Sequence, residues 1–346
     1  MKPSTLFITR AVKTSAIAAF ATLALALSRG SLQAAEIRVP SGTIHTIQQG
    51  VDAAAPGDTV LVRPGTYVIN DQGEYSTAVD IGSDKPGLKL KADGAPGSVK
   101  IVGPGDMQCI SIEAERALVE GFDISGFWKG IVAGASVAPG ARITGNTIHD
   151  LRSLPNSANT AISPGPLHEV DHNTIYGCMN GIFLGAWPAT GPNWPAHIHH
   201  NRVEGNGDPD SLGIMLWQAP GCKLDHNECD NNGIGIYLAD SPNCTADHNR
   251  ADNNVSTGIL LDSDGSPDCV VVNNEANDNG SCGIGVGVGE SCGTRFENNV
   301  AKGNGQDDLA VLWGPVTTSC YTCVNNHADT AYPSLAFWDV VTPPEP

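Results

Sequence analysis

Four short motifs hold the residues best suited to chemistry: Asp171-His172-Asn173, His199-His200-Asn201, Asp225-His226-Asn227 and Asp247-His248-Asn249. An imidazole beside a carboxylate can bind copper or zinc through a ring nitrogen, or move a proton near neutral pH. If the chain winds in coils, His172, His200, His226 and His248 stack one above another. Their column continues as Gly145 on one side and Asn273, Asn298, Asn325 on the other. Gly, His and Asn are types common at positive φ, so a backbone bend accounts for the same residues without any ligand.

Three further groups invite a functional reading. Trp187 and Trp194 lie in a Pro/Gly-rich insertion and Trp217 follows a short apolar run, with His197 and His199 close by in sequence. Indole faces over a rigid scaffold suit sugar rings, which makes these five residues candidates for substrate binding. Arg202 and Arg250 follow the Asn of their motifs and are candidate catalytic cations or surface ion-pair partners. Asp240, Asp262 and Asp264 crowd turns, where carboxylates could hold Ca²⁺, serve as acid and base on a glycosidic bond, or stay solvated.

The elements that position these groups emerge from a repeat. Asn146, Asn173, Asn201, Asn227, Asn249, Asn274, Asn299 and Asn326 recur at intervals of 22 to 28 residues. Three residues before each stands Ile143, Val170, Ile198, Leu224, Ala246, Val271, Phe296 or Cys323. Two residues after stands Ile148, Ile175, Val203, Cys229, Ala251, Ala276, Ala301 or Ala328. Both columns are apolar or small, as inward positions must be. Later in most repeats a Gly opens a β-like run, as in Gly213-Ile-Met-Leu and Gly235-Ile-Tyr-Leu. No repeat contains ten residues of helical periodicity, so helical solenoids are excluded. Short strands stacked about 4.8 Å apart satisfy the pattern, and an Asn amide can donate and accept between neighbouring rungs.

Thr46 to Ala54 places Ile47, Val51 and Ala54 on one helical face, suited to covering the open end of a solenoid. The turns Pro56-Gly57-Asp58 and Pro64-Gly65-Thr66 flank a strand at Thr59 to Val62. This block, followed by Asn-centred coils, resembles the start of secreted right-handed parallel β-helix proteins of the pectin-lyase-like superfamily. The resemblance implies an all-β, single-stranded right-handed parallel β-helix over residues 36–340, with 36–70 as N-terminal cap and first coil. About eleven coils are expected from the period. It implies polysaccharide binding or modification outside the cytoplasm, by lyase, epimerase or glycoside hydrolase chemistry if the protein is catalytic. The Asp-Pro-His-Glu motif of mannuronan epimerases and the Gly-His-Gly of polygalacturonases are absent, so whether the protein is an enzyme stays open. At the level of the repeat, the chain also resembles periplasmic accessory proteins for the copper site of nitrous oxide reductase. That alternative is a non-enzymatic metal-handling or structural surface protein, with His172, His200, His226 and His248 as ligands of copper or zinc.

Residues 1–35 read as a secretory signal peptide: a basic start, an Ala/Leu-rich run too short to span a bilayer, and small residues before Ala35. A secreted or periplasmic product follows, with residues 341–346 as a Pro-rich tail. Ten cysteines are then placed where disulfides persist. Cys222 and Cys244 both precede their Asn by five residues, which predicts a bond between adjacent rungs. The formal net charge of −18 excludes nucleic acid as a partner and opposes direct binding of polyanions. A cell-wall or other extracellular polysaccharide, with or without Ca²⁺, is the expected partner.

Overall fold

The computed structural model describes residues 34–341, apart from 71–72, 74–75, 135–138, 155–156, 166–167, 186–194, 206–207, 263–265, 288–290, 313–319 and 335. The signal segment, the tail beyond 341, Trp187, Trp194 and Asp264 lie outside the described residues. Among the described residues, strands from Glu36–Val39 to Ala331–Tyr332 stack into a parallel β-solenoid. Its two long sheets have twelve and eleven strands, close to the expected number of coils, and a third sheet has six. Every rung of the long sheets pairs in parallel with the next, as between Arg142–Thr144, Glu169–Asp171 and His197–His199.

Alternation within three-residue strands creates the interior. Ile143, Val170, Ile198, Leu224, Ala246 and Val271 are fully buried, and so are Ile148, Ile175, Val203, Cys229, Ala251, Ala276 and Ala301. Between the two columns lies the bend that repairs the phase. His172, His200, His226, His248, Asn273, Asn298 and Asn325 all adopt φ between 52° and 57°, and Gly145 has φ 64°. The buried Asn that follows each bend builds a ladder. Asn249 Oδ1 accepts from the Asn227 amide nitrogen at 3.0 Å and from its side-chain Nδ2 at 2.9 Å, while Asn249 Nδ2 donates to Asn274 Oδ1 at 3.0 Å.

A second ladder, formed by Asn232, Asn254, Asn279 and Asn304, ends on Asp308. Its members follow the first ladder by five residues, a spacing the sequence shows in five consecutive coils, the first of which, with Asn206 after Asn201, has that Asn206 outside the described residues. The glycines that open the strands have their own cause. A Cβ on Gly213, Gly235 or Gly258 would lie 2.3, 2.6 or 2.7 Å from the carbonyl oxygen of the next glycine in the column. No side chain fits that approach.

The first coil is covered by the helix Ile47–Ala53, which starts with a capping box: Thr46 Oγ1 accepts from the Gln49 amide and Gln49 Oε1 accepts from the Thr46 amide. Ile47, Gly50 and Val51 face inward. At the other end Trp338 is completely buried, its ring centroid 5.0 Å from that of Phe296 and its carbonyl oxygen accepting from Asn326 Nδ2.

The disulfide expectation requires correction. Cys222 and Cys244 do occupy one buried column, together with Cys269, but all three remain thiols. The bond joins Cys292 to Cys320 instead, with Cα atoms 4.7 Å apart. These two precede their Asn residues by seven and six positions. One coil therefore has an additional residue in its turn, and equal offset from the Asn is not a sufficient guide to which cysteines meet.

Candidate functional site

The outer face of the twelve-stranded sheet gathers most of the ionisable side chains singled out in the sequence. Because the central residue of each strand points inward, the flanking residues point outward and align by register. One column is Arg142, Glu169, His197 and Lys223; the next is Thr144, Asp171, His199, Asp225 and Asp247. Beside them runs the bend column with His172, His200, His226 and His248. Six histidines and four carboxylates thus share one rigid surface over four rungs.

The bend imidazoles stack almost flat. Ring centroids are 5.1 Å apart for His172 and His200, 4.9 Å for His200 and His226, and 5.1 Å for His226 and His248, with interplanar angles of 7°, 3° and 2°. Carboxylates orient three of them: His172 Nδ1 meets Asp171 Oδ2 at 2.7 Å, His226 Nδ1 meets Asp225 Oδ2 at 3.1 Å, and His248 Nδ1 meets Asp247 Oδ1 at 2.6 Å. A carboxylate on Nδ1 fixes the tautomer and leaves Nε2 available as a proton acceptor or hydrogen-bonding group. His200 differs, because its Nδ1 faces His199 Nδ1 at 2.9 Å. His199 Nε2 in turn meets Glu169 Oε1 at 3.2 Å, and His197 Nε2 pairs with Asp225.

The buried carboxylates are held ionised. Burial raises the Asp171 carboxyl, but hydrogen bonds from Arg142, His172 and Thr144 outweigh it and bring it down to about 2. Arg142 grips Asp171 with Nε on one oxygen and Nη2 on the other, both at 2.8 Å. Burial and bonding compete in the same way at Asp225, where His197, Lys223 and His226 hold the carboxyl well below the usual range. At His200, desolvation and the neighbouring His199, His226 and His172 push the imidazole down toward its neutral form.

The other candidates lie elsewhere. Arg202 and Arg250 stand in a bridge-paired column with Glu228 and Glu275 between and beyond them, giving alternating charge. Arg202 pairs with Glu204 at 2.7 Å, and Arg250 pairs with Asp230 at 2.6 Å and Glu228 at 3.2 Å. Their geometry is that of ion-pair partners. Asp240 occupies a left-handed turn position at φ 48°, and its buried Oδ1 has no hydrogen-bond partner among the described residues. Asp262 ends the strand Ile259–Asp262, in register with Ala239. Trp217 ends the strand Leu212–Trp217 of the eleven-stranded sheet. The structure therefore groups His197 and His199 with the bend histidines rather than with Trp217. Arg142 and Glu169 escaped notice in the sequence, although their place one residue before the inward column marks them as outward-facing neighbours of the histidines.

Similarity to known proteins bears on the fold. The structure resembles that of XylC in complex with xylose, with 14% identity, a TM-score of 0.58, and coverage of 84% of this chain and 71% of that one. Pectate lyase Pel9A gives 14% identity and a TM-score of 0.59 over 85% and 79% of the two chains. The GH136 lacto-N-biosidase of Eubacterium ramulus gives 14% and 0.57 over 86% and 65%. No curated protein matches the sequence. At such identity the shared property is the coil architecture. Residues 108–301, more than half of the chain and all of the histidine face, match the family described as the right-handed beta helix region, and the chain belongs to that family.

Proposed function

We propose that the protein binds, outside the cytoplasm, a linear polysaccharide laid along the solenoid axis on the histidine face. The observation that carries this reading is the repeat of 4.9–5.1 Å between flat, parallel imidazoles. That distance is close to the length of one pyranose unit in an extended chain. Successive sugars then meet equivalent groups on successive rungs: a ring edge, an oriented Nε2 and, at the margin, Lys223 or Arg142. The coils hold these groups fixed before binding, which reduces the entropy lost on association. Fold relatives that include a pectate lyase, a lacto-N-biosidase and a xylose complex support the ligand class. The sequence of residues 1–35 supports the location.

If the protein also modifies its ligand, the Asp171–His172, Asp225–His226 and Asp247–His248 pairs are the available acid–base groups. The test is a panel of neutral and acidic glycans, scored by affinity electrophoresis, unsaturated-uronate absorbance and reducing ends. Replacing His226 and His248 together with Asn should weaken retention of the bound glycan at least tenfold while leaving the circular dichroism unchanged. Retention unchanged in that variant but lost on Trp217→Ala would move the site to the eleven-stranded sheet.

A further inference from the structure

Resting on the polysaccharide reading above, we infer that the bound chain is an amino-sugar polymer whose amines are free rather than acylated. The argument begins with which ring nitrogens carry the protons. A carboxylate only accepts, so the Nδ1 atoms of His172, His226 and His248, which face Asp171, Asp225 and Asp247, hold the protons. Their Nε2 atoms then hold lone pairs. His200 reaches the same state by a longer route. His199 Nε2 faces Glu169 Oε1 at 3.2 Å and carries a proton, so His199 Nδ1 accepts. His200 Nδ1, 2.9 Å away, donates to it, which leaves the His200 lone pair on Nε2 as well.

All four side chains are exposed. Their Nε2 atoms have no hydrogen-bond partner among the described residues, since each ring is engaged through Nδ1. Because the rings are parallel and 4.9–5.1 Å apart, the Nε2 atoms recur at a similar interval along the axis. The face is therefore a row of hydrogen-bond acceptors, one per rung.

Such a row selects its ligand by what the ligand can donate. A uronate carboxylate or a sulfate ester has no hydrogen to give. Its charge also meets Glu169, Asp171, Asp225 and Asp247, which outnumber Arg142 and Lys223 on this face. A hydroxyl donates once, whereas an amine donates at least twice and an ammonium is a donor only, carrying the charge that carboxylates favour. Asp247 Oδ2 has no partner among the described residues, while Oδ1 of the same carboxylate accepts from His248 and Asn273. An ammonium at His248 Nε2 thus has a charged acceptor close by. In an extended chain with a two-fold twist, amines meet every second ring and hydroxymethyl groups meet the rings between. The formal net charge of −18 draws a cationic chain toward the surface. Acetylation removes that charge and all but one N–H.

Calorimetric titration with soluble hexamers near pH 7, where an ordinary imidazole at about 6.5 is mostly neutral, tests the ligand class. The glucosamine hexamer should bind at least tenfold more tightly than cellohexaose or the N-acetylated hexamer, and hexagalacturonate should not saturate. His226→Asn with His248→Asn leaves the formal net charge unchanged and should lower affinity for the glucosamine hexamer at least tenfold. Asp247→Asn should lower it about tenfold, the worth of one hydrogen bond to a charged group, while leaving cellohexaose binding as it was. Cellohexaose, N-acetylated hexamer or hexagalacturonate bound as tightly as the glucosamine hexamer would overturn the amino-sugar assignment and leave the polysaccharide reading standing. Wild-type affinity for the glucosamine hexamer in the double variant would mean attraction by overall charge alone and would overturn it too. Absence of binding by every hexamer would remove both.

Discussion

At the scale of single residues, the buried asparagines combine geometry with stability. The Asn249 side chain receives two hydrogen bonds from Asn227 and gives two, to Leu224 and Asn274. Replacing it with Ala leaves backbone and amide groups on both neighbouring rungs without partners in a dry interior. A loss of about 2–4 kcal/mol is expected, at roughly 1–3 kcal/mol per orphaned buried group. Denaturant unfolding measures it, and a change below 0.5 kcal/mol, the range of an ordinary surface substitution, would mean that the ladder is dispensable. Asp171 makes a second prediction. Its folded pKa of about 2 lies below the ordinary carboxylate value of 3.8, so the folded state releases this proton more readily than the unfolded chain. The stabilisation is fully present above about pH 4 and disappears as the pH falls toward 2. Arg142→Ala should flatten the acid limb of the stability curve between those values. An acid limb unchanged in that variant would place the sensitivity at another carboxylate.

At the scale of the coil, residues are chosen by backbone conformation before chemistry. His226 has φ 55°. Exchange for Asn should be nearly silent for stability, since Asn273, Asn298 and Asn325 already take that conformation, whereas Val should cost about 1–2 kcal/mol because its branched Cβ crowds the carbonyl in the left-handed region. Comparison of the two melting temperatures decides the point, and equal melting would refute it. This double duty explains how far the site was legible in the sequence. The column of His172, His200, His226 and His248 was visible because Asn occupies its continuation. The pairing of His199 with His200 was not, because it joins an outward strand position to a bend position. The sequence periodicity records each column separately and carries no measure of the distance between columns. Arg142 and Glu169 remained unnoticed for the same reason: their column changes charge from rung to rung, and nothing recurs.

At the scale of the molecule, a solenoid is held by contacts between adjacent rungs, so its ends are where fraying begins. The helical lid at Ile47–Ala53 was readable from the local periodicity of Ile47, Val51 and Ala54. The opposite end was not, because Trp338 belongs to no repeat and closes the core through ring contacts with Phe296 and Phe337 and hydrogen bonds with Asn326 and Tyr332. Trp338→Ala should cost about 3–5 kcal/mol and accelerate hydrogen exchange at residues 295–332 before it affects the first coils. Uniform acceleration along the chain would show that the coils melt together. The ladder has a different consequence for the history of the fold. Coil lengths range from 22 residues, between Asn227 and Asn249, to 28, between Asn173 and Asn201. The asparagine nevertheless returns to one line, and the surplus is taken up in the turns. Each turn of the spiral is therefore an interchangeable unit of inheritance. Removal of residues 228–249 would join Asn227 directly to Arg250 and reproduce a legitimate junction, one storey shorter. Such a lineage can lengthen, shorten or redecorate its outer wall by whole-unit duplication and loss, without renegotiating the interior.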